Sequence, residues 1–125
     1  MADEASHPTH VLLVEDDRDT REMYSQYLSY SGMTVSEAST GRRALESVHA
    51  HRPDVVVTDI AMPEMDGLEL SRRLRAEEPT RDLPIIAVSG QVSARAHEAG
   101  VDVVLEKPCM PDDLLHVIEN VLKTR

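Results

Sequence analysis

Five short apolar runs alternate with five amphipathic stretches along this chain, and that alternation constrains the fold more than any other feature. The runs are HVLLVE (10–15), MTVSEA (33–38), DVVVTD (54–59), LPIIAVSG (83–90) and VDVVLEKP (101–108). They are short and rich in β-branched residues, which is the pattern of strands. Between them, DTREMYSQYLSYSG (19–32) places Met23, Tyr24, Tyr27 and Leu28 at helical spacing and stops at Gly32. GRRALESVHAH (41–51) carries Ala44, Leu45 and Val48 on one face, and DGLELSRRLRAEE (66–78) is amphipathic up to Pro79. SARAHEAG (93–100) is a short helix closed by Gly100. PDDLLHVIENVLK (111–123) has Pro111 and two acids in its first turn, Lys123 in its last, and a stripe of Leu114, Ile118, Val121 and Leu122. Strands separated this regularly by helices form βαβ units, and so a parallel sheet covered on both faces. The expected fold is α/β: a single doubly wound (βα)5 domain over residues 10–125, preceded by a flexible arm over 1–9.

At 125 residues the chain has room for one such core. It has no Phe or Trp, so aliphatic residues and three Tyr must fill the interior. Acidic residues number 23 against 13 Lys and Arg, for a formal charge of −10. That surface repels phosphate backbones and anionic lipid, which argues against direct nucleic acid binding by this chain and against a membrane role. No apolar run is long enough to span a bilayer, and MADEASHPTH lacks the regions of a signal peptide. The single Cys109 rules out an intramolecular disulfide and suits a reducing compartment, so a cytoplasmic location is expected.

The third run raises a question of charge, because DVVVTD ends a buried strand on a carboxylate, and burying an unpaired charge is costly. The other runs end on polar groups too: Glu15 and Asp16 after the first, Ser89 at the fourth, Lys107 just past the core of the fifth. In a parallel sheet all these ends lie at one edge, and ligands bind there, where the strand order reverses. The order 2-1-3-4-5 sets strands one and three side by side and gathers three carboxylates. A hard divalent cation such as Mg²⁺ would balance them, with Lys107 as a fixed positive charge and Ser89 as a hydroxyl donor. This set suits phosphoryl transfer to a carboxylate oxygen, and Asp59, central among the groups, is the best candidate nucleophile.

LLVEDD (12–17), VVVTDIAMPEMDG (55–67), AVSG (87–90) and LEKP (105–108) resemble, in order and on the matching elements, the receiver domains of two-component response regulators. The resemblance implies that Asp59 is the phosphoacceptor, served by a histidine kinase or histidine phosphotransfer protein. It implies that Glu15, Asp16, Asp59 and the backbone carbonyl of Ala61 hold Mg²⁺, and that Ser89 and Lys107 contact the phosphoryl group. It also makes Lys107-Pro108 a candidate cis peptide. Asp17 is not counted as a ligand, and either Asp17 or Asp19 is expected to cap the following helix.

Two positions depart from that family. Where relatives often carry Tyr or Phe three residues before the lysine, this chain has Val104, and no aromatic residue follows Tyr30. The span from Ser89 to Lys107 is roughly one helical turn shorter than in most relatives, so the fourth helix is shortened. The resulting reading is a Mg²⁺-dependent signalling phosphoacceptor, not an enzyme, acting as a monomer or weak dimer on an unknown protein partner with an altered output switch. The alternatives are a non-phosphorylated pseudo-receiver, the amino-terminal receiver of a longer regulator, and a small phosphatase, which would need an acid where Ala61 stands.

Overall fold

The valine-rich run after Pro53 forms the central strand of the sheet. The computed structural model describes residues 7–90 and 95–124. The expected arm therefore lies mostly outside the described residues, as does the start of the helical stretch 93–100. Strands β1 (His10–Val14), β2 (Thr34–Ala38), β3 (Val55–Asp59), β4 (Ile85–Ser89) and β5 (Val103–Glu106) make one sheet in the order β2-β1-β3-β4-β5. Every pairing is parallel. Helices α1 (Arg18–Tyr30), α2 (Gly41–Ala50), α3 (Gly67–Ala76), α4 (Arg95–Glu98) and α5 (Pro111–Lys123) alternate with the strands. This is the doubly wound 2-1-3-4-5 arrangement expected from the alternation; the expected shortening of the fourth helix falls partly on residues 91–94, outside the described residues.

Successive strand side chains point to opposite faces, and here the two faces feed two separate cores. Leu12, Val14, Val56, Ile85 and Ala87 pack with Ala44 and Val48 of α2, Leu70 and Leu74 of α3, and Ala96 of α4. Val11, Leu13, Val55, Val57, Ile86 and Val88 pack with Tyr24 and Leu28 of α1 and Leu114 and Ile118 of α5. All five residues of β3 are buried, whereas edge strand β2 is half exposed, as its mixed sequence implies.

The helix starts follow the capping chemistry in the sequence. Asp17, Thr40 and Asp66 each accept a hydrogen bond from the backbone N–H three residues on. At the other ends, Gly32 and Gly100 adopt φ of 97° and 90°, conformations that L side chains rarely take. Two expectations are corrected. The helix predicted over 66–78 stops at Ala76, because Glu77 is extended and a 3₁₀ turn, Glu78–Thr80, follows. The Thr80 hydroxyl donates to the Leu74 carbonyl, satisfying one of the acceptors left open at a helix end. Met23, placed on the apolar face of α1, is instead 42% exposed and projects beside Tyr30 outside the core.

Candidate functional site

The alternation that sorts the two cores also sorts the polar residues at the carboxyl edge. Asp59 follows Val55 and Val57 in phase, Glu15 follows Val11 and Leu13, and Lys107 follows Val103 and Leu105, so all three emerge on the α1/α5 side. Ser89 closes β4 two residues beyond Ala87 and is buried at the same carboxyl edge. Val104 packs on the α2/α3/α4 side, in register with Ala87. The altered position is therefore on the face opposite Lys107, next to the strand that carries Ser89.

The geometry gathers the carboxylates tightly. Glu15, Asp16 and Asp59 each offer an oxygen within 4.8 Å of the others. Glu15 and Asp59 are buried, at 4% and 7% exposure, while Asp16 is open to solvent. The Lys107 Nζ lies 3.1 Å from Asp59 Oδ2 and 3.7 Å from Glu15 Oε1. Ser89, 7% exposed, ends β4 beside them, and Ala61 stands exposed in the loop after Asp59. Asp17 is turned to its capping role, accepting from Thr20 N at 2.9 Å, and is not part of the cluster.

Charge crowding perturbs these groups. Burial pushes the Glu15 carboxyl up to about 7, against the opposing hydrogen bond from the Asp17 N–H at 3.0 Å; the Asp59 charge raises it further and Lys107 lowers it. Burial alone would lower the Lys107 ammonium, but its hydrogen bond to Asp59 and the charges of Glu15 and Asp59 outweigh that, and its net shift is upward. A cluster of three carboxylates with only one nearby ammonium favours a second cation. The donors are all hard carboxylate oxygens, two on buried side chains and one on an exposed one, and they fit Mg²⁺ in kind.

The backbone around the site is held closely. The Lys107 N–H donates to the Ser89 carbonyl at 2.7 Å, and the Lys107-Pro108 peptide is cis. The loop after Asp59 turns at Glu64, with φ of 68° and Met65 N donating to Pro63 O at 2.8 Å, a γ-turn. The positive φ of this loop falls at Glu64 and not at Gly67, the first residue of α3. Gly67 is required by proximity, since a Cβ there would collide with the Asp59 carbonyl oxygen. Sequence reasoning also missed Arg21, whose guanidinium donates to the Glu15 carbonyl at 2.8 Å and reaches Glu37 at 3.2 Å. Its position one turn into α1, just after the acidic pair, was the available signal.

Among known families, the model for the response regulator receiver domain matches residues 11–119. This chain belongs to the response regulator receiver domains. Response regulator MprA of Mycolicibacterium vanbaalenii is 38% identical over 120 residues, which cover 93% of this receiver domain and 51% of that protein. The chain thus spans about half the length of the curated relatives it matches. A solved putative response regulator from Chloroflexus aurantiacus aligns over 93% of this chain and 98% of its own, at 33% identity and a TM-score of 0.88. The receiver domain of sensor histidine kinase PA1611 from Pseudomonas aeruginosa aligns over 93% of this chain and 98% of its own, at 27% identity and a TM-score of 0.85. In that structure a magnesium ion is coordinated in the active site cleft. Receiver domains are signalling modules that pair with histidine kinases and bind Mg²⁺ at an acidic site. None of the described helices is long and apolar enough to cross a membrane.

Proposed function

We propose that this receiver domain accepts a phosphoryl group on Asp59, from a histidine kinase or a histidine phosphotransfer protein, and signals by changing its protein-binding surface. The observation that carries the reading is the packing of Asp59 against Glu15, Asp16 and the Lys107 ammonium at the switch point of the sheet. An Asp59 carboxylate oxygen attacks phosphorus, the bond from phosphorus to the imidazole nitrogen breaks, and the imidazole leaves with the electron pair and takes up a proton. The product on this chain is an acyl phosphate. Lys107 already lies within hydrogen-bond reach of Asp59 and would compensate the charge on the transferred oxygens. The Ser89 hydroxyl would donate to the same group. Glu15, Asp16, Asp59 and the Ala61 carbonyl would hold Mg²⁺, which when bound supplies positive charge opposite the phosphoryl oxygens.

Output would follow from a shift in the populations of two conformers, biased by the Ser89 and Lys107 contacts. Val104 removes the aromatic ring that relatives often turn inward, so the response would travel by another route. The domain would work in the cytoplasm, over residues 10–125, as a monomer or weak dimer. Its acidic surface argues against nucleic acid binding by these residues; the rest of the length of the MprA relatives lies outside the match. That length favours a second setting for the same chemistry, in which the domain is part of a longer regulator.

Intact-protein mass spectrometry after incubation with acetyl phosphate and Mg²⁺ tests the proposal. One phosphoryl mass should appear on the wild type and be absent from Asp59→Asn and from a chelated sample. A wild type that stays unmodified with acetyl phosphate and with a panel of phosphorylated histidine kinases would sink the phosphoacceptor reading and favour a pseudo-receiver.

A further inference from the structure

Tyr24 is a tyrosine in the inner turn of α1, 5% exposed, on the face of the sheet from which Asp59, Glu15 and Lys107 emerge. Buried tyrosines keep a partner for the hydroxyl, and this one donates to the Cys109 carbonyl at 2.6 Å, across 85 residues of chain. Cys109 lies two residues beyond Lys107, in the turn that joins β5 to α5. The turn has little hydrogen bonding of its own to hold it: Pro108 and Pro111 leave residues 108–111 two backbone N–H groups. Lys107 itself is fixed at its N–H by the Ser89 carbonyl. The two hydrogen bonds therefore clamp the chain on either side of the lysine's exit from the sheet.

We propose that Tyr24 is a positioning residue for Lys107, its hydroxyl tying the β5–α5 turn to α1 so that the ammonium stays over Asp59 and Glu15. The side chain of Lys107 is 34% exposed and could otherwise swing into solvent, where it would neutralise nothing. The phenol sits close enough to the cluster that, after burial and a contribution from Cys109, the charges of Glu15 and Asp59 help push its ionisation up to about 12, so it remains a donor throughout the working pH range. The consequence for phosphoryl transfer rests on the Asp59 reading above; the placement of Lys107 does not.

The chain contains only two lysines, Lys107 and Lys123, and Lys123 is exposed in the last turn of α5. Protein grown on ¹³C-lysine therefore gives two side-chain Cε signals, one of them an internal reference for a solvated ammonium. In Tyr24→Phe, which keeps the ring and loses the hydroxyl, the Lys107 signal should collapse toward that of Lys123, while Lys123 and a Tyr27→Phe control stay in place. Phosphorylation by acetyl phosphate at saturating Mg²⁺ should slow about fivefold, the scale of one net hydrogen bond. In a Lys107→Ala background the same substitution should change the rate by less than about twofold, the two sites being coupled. An unmoved Lys107 signal overturns the proposal, as does equal slowing with and without the lysine, which would mark Tyr24 as a packing residue. If the wild type takes no phosphoryl group, the Asp59 reading fails, and the lysine spectrum still decides whether Tyr24 holds Lys107.

Discussion

Glu15→Gln removes one charge from the buried cluster while keeping the shape of the side chain, and it should stabilise the metal-free protein at alkaline pH. The Glu15 carboxyl rises from the ordinary 4.5 to about 7 on folding, chiefly through burial. The folded chain therefore holds this proton more tightly than the unfolded chain. The stability contributed by protonated Glu15 is complete below about pH 4.5 and is lost as pH rises through 7. The whole gap corresponds to about 3 kcal/mol, and the part that falls between pH 5 and pH 8 is roughly 2–3 kcal/mol. Gln does not titrate, and its carbonyl oxygen can still accept from the Asp17 N–H that now bonds to Glu15 Oε2. Urea unfolding followed by far-ultraviolet circular dichroism, in chelator, at pH 5 and pH 8, gives the four stabilities needed. The advantage of Gln over Glu should grow by roughly 2–3 kcal/mol between the two pH values, titrating groups remote from the cluster cancelling in the difference. Saturating Mg²⁺ at pH 8 should stabilise the wild type more than the variant, by the linkage of binding to folding. Parallel pH curves for the two proteins would refute the argument, because they would mean that Glu15 ionises in the folded state as freely as in the unfolded chain.

Gly67→Ala sets a methyl group against the Asp59 carbonyl, so it should cost about 1–3 kcal/mol in urea unfolding and also slow acetyl phosphate labelling of Asp59. Gly100→Ala meets both a φ of 90° and the Arg75 side chain, whose guanidinium binds the Gly100 and Leu83 carbonyls. A loss of about 1–2 kcal/mol from the backbone alone is expected, read as a lower urea midpoint. Thr80→Val keeps the volume at the end of α3 but leaves the Leu74 carbonyl without its hydroxyl partner, which should cost about 1–3 kcal/mol by the same measurement.

The sheet was legible in the sequence because each strand has its own burial signature. VVVTD reads as an all-buried central strand and TVSEA as a half-exposed edge, and the structure places them so. The last helix was legible to the residue, since Pro111 fixes its start and the acidic and basic ends agree with the dipole. What the sequence could not show is anything that depends on two distant segments meeting at a particular height. GLELSRRLRAEE stays amphipathic past Ala76, and only the Thr80 hydroxyl reaching back to Leu74 shows why the helix stops where it does. Met23 has helical spacing with Tyr27, yet it remains 42% exposed. Glu15, Asp16, Asp59 and Lys107 could be assembled on paper because a parallel sheet brings its carboxyl ends to one edge. The placing of Val104 on the opposite face follows from counting residues along β5, once the strand boundaries are fixed.

The same count shows why the site opposes the stability of the fold that holds it. Strand β3 is buried throughout, and extending its buried phase by one more alternation places the Asp59 carboxylate where a valine would serve the core better. Glu15 repeats the arrangement at the end of β1, one strand over, so the two central strands carry buried acids into contact. One ammonium, itself partly exposed, stands against them. Burial first, and then the Asp59 charge, push the Glu15 carboxyl up to about 7, within reach of neutral pH. A cluster built for stability would have been neutralised by Gln, Asn or a second lysine. Keeping it acidic leaves a site where an added cation relieves repulsion and where a carboxylate oxygen of Asp59 stays available to an incoming electrophile. If that trade holds, Glu15→Gln should gain stability and lose phosphorylation together, and a variant that gained the first without losing the second would separate the charge from the function.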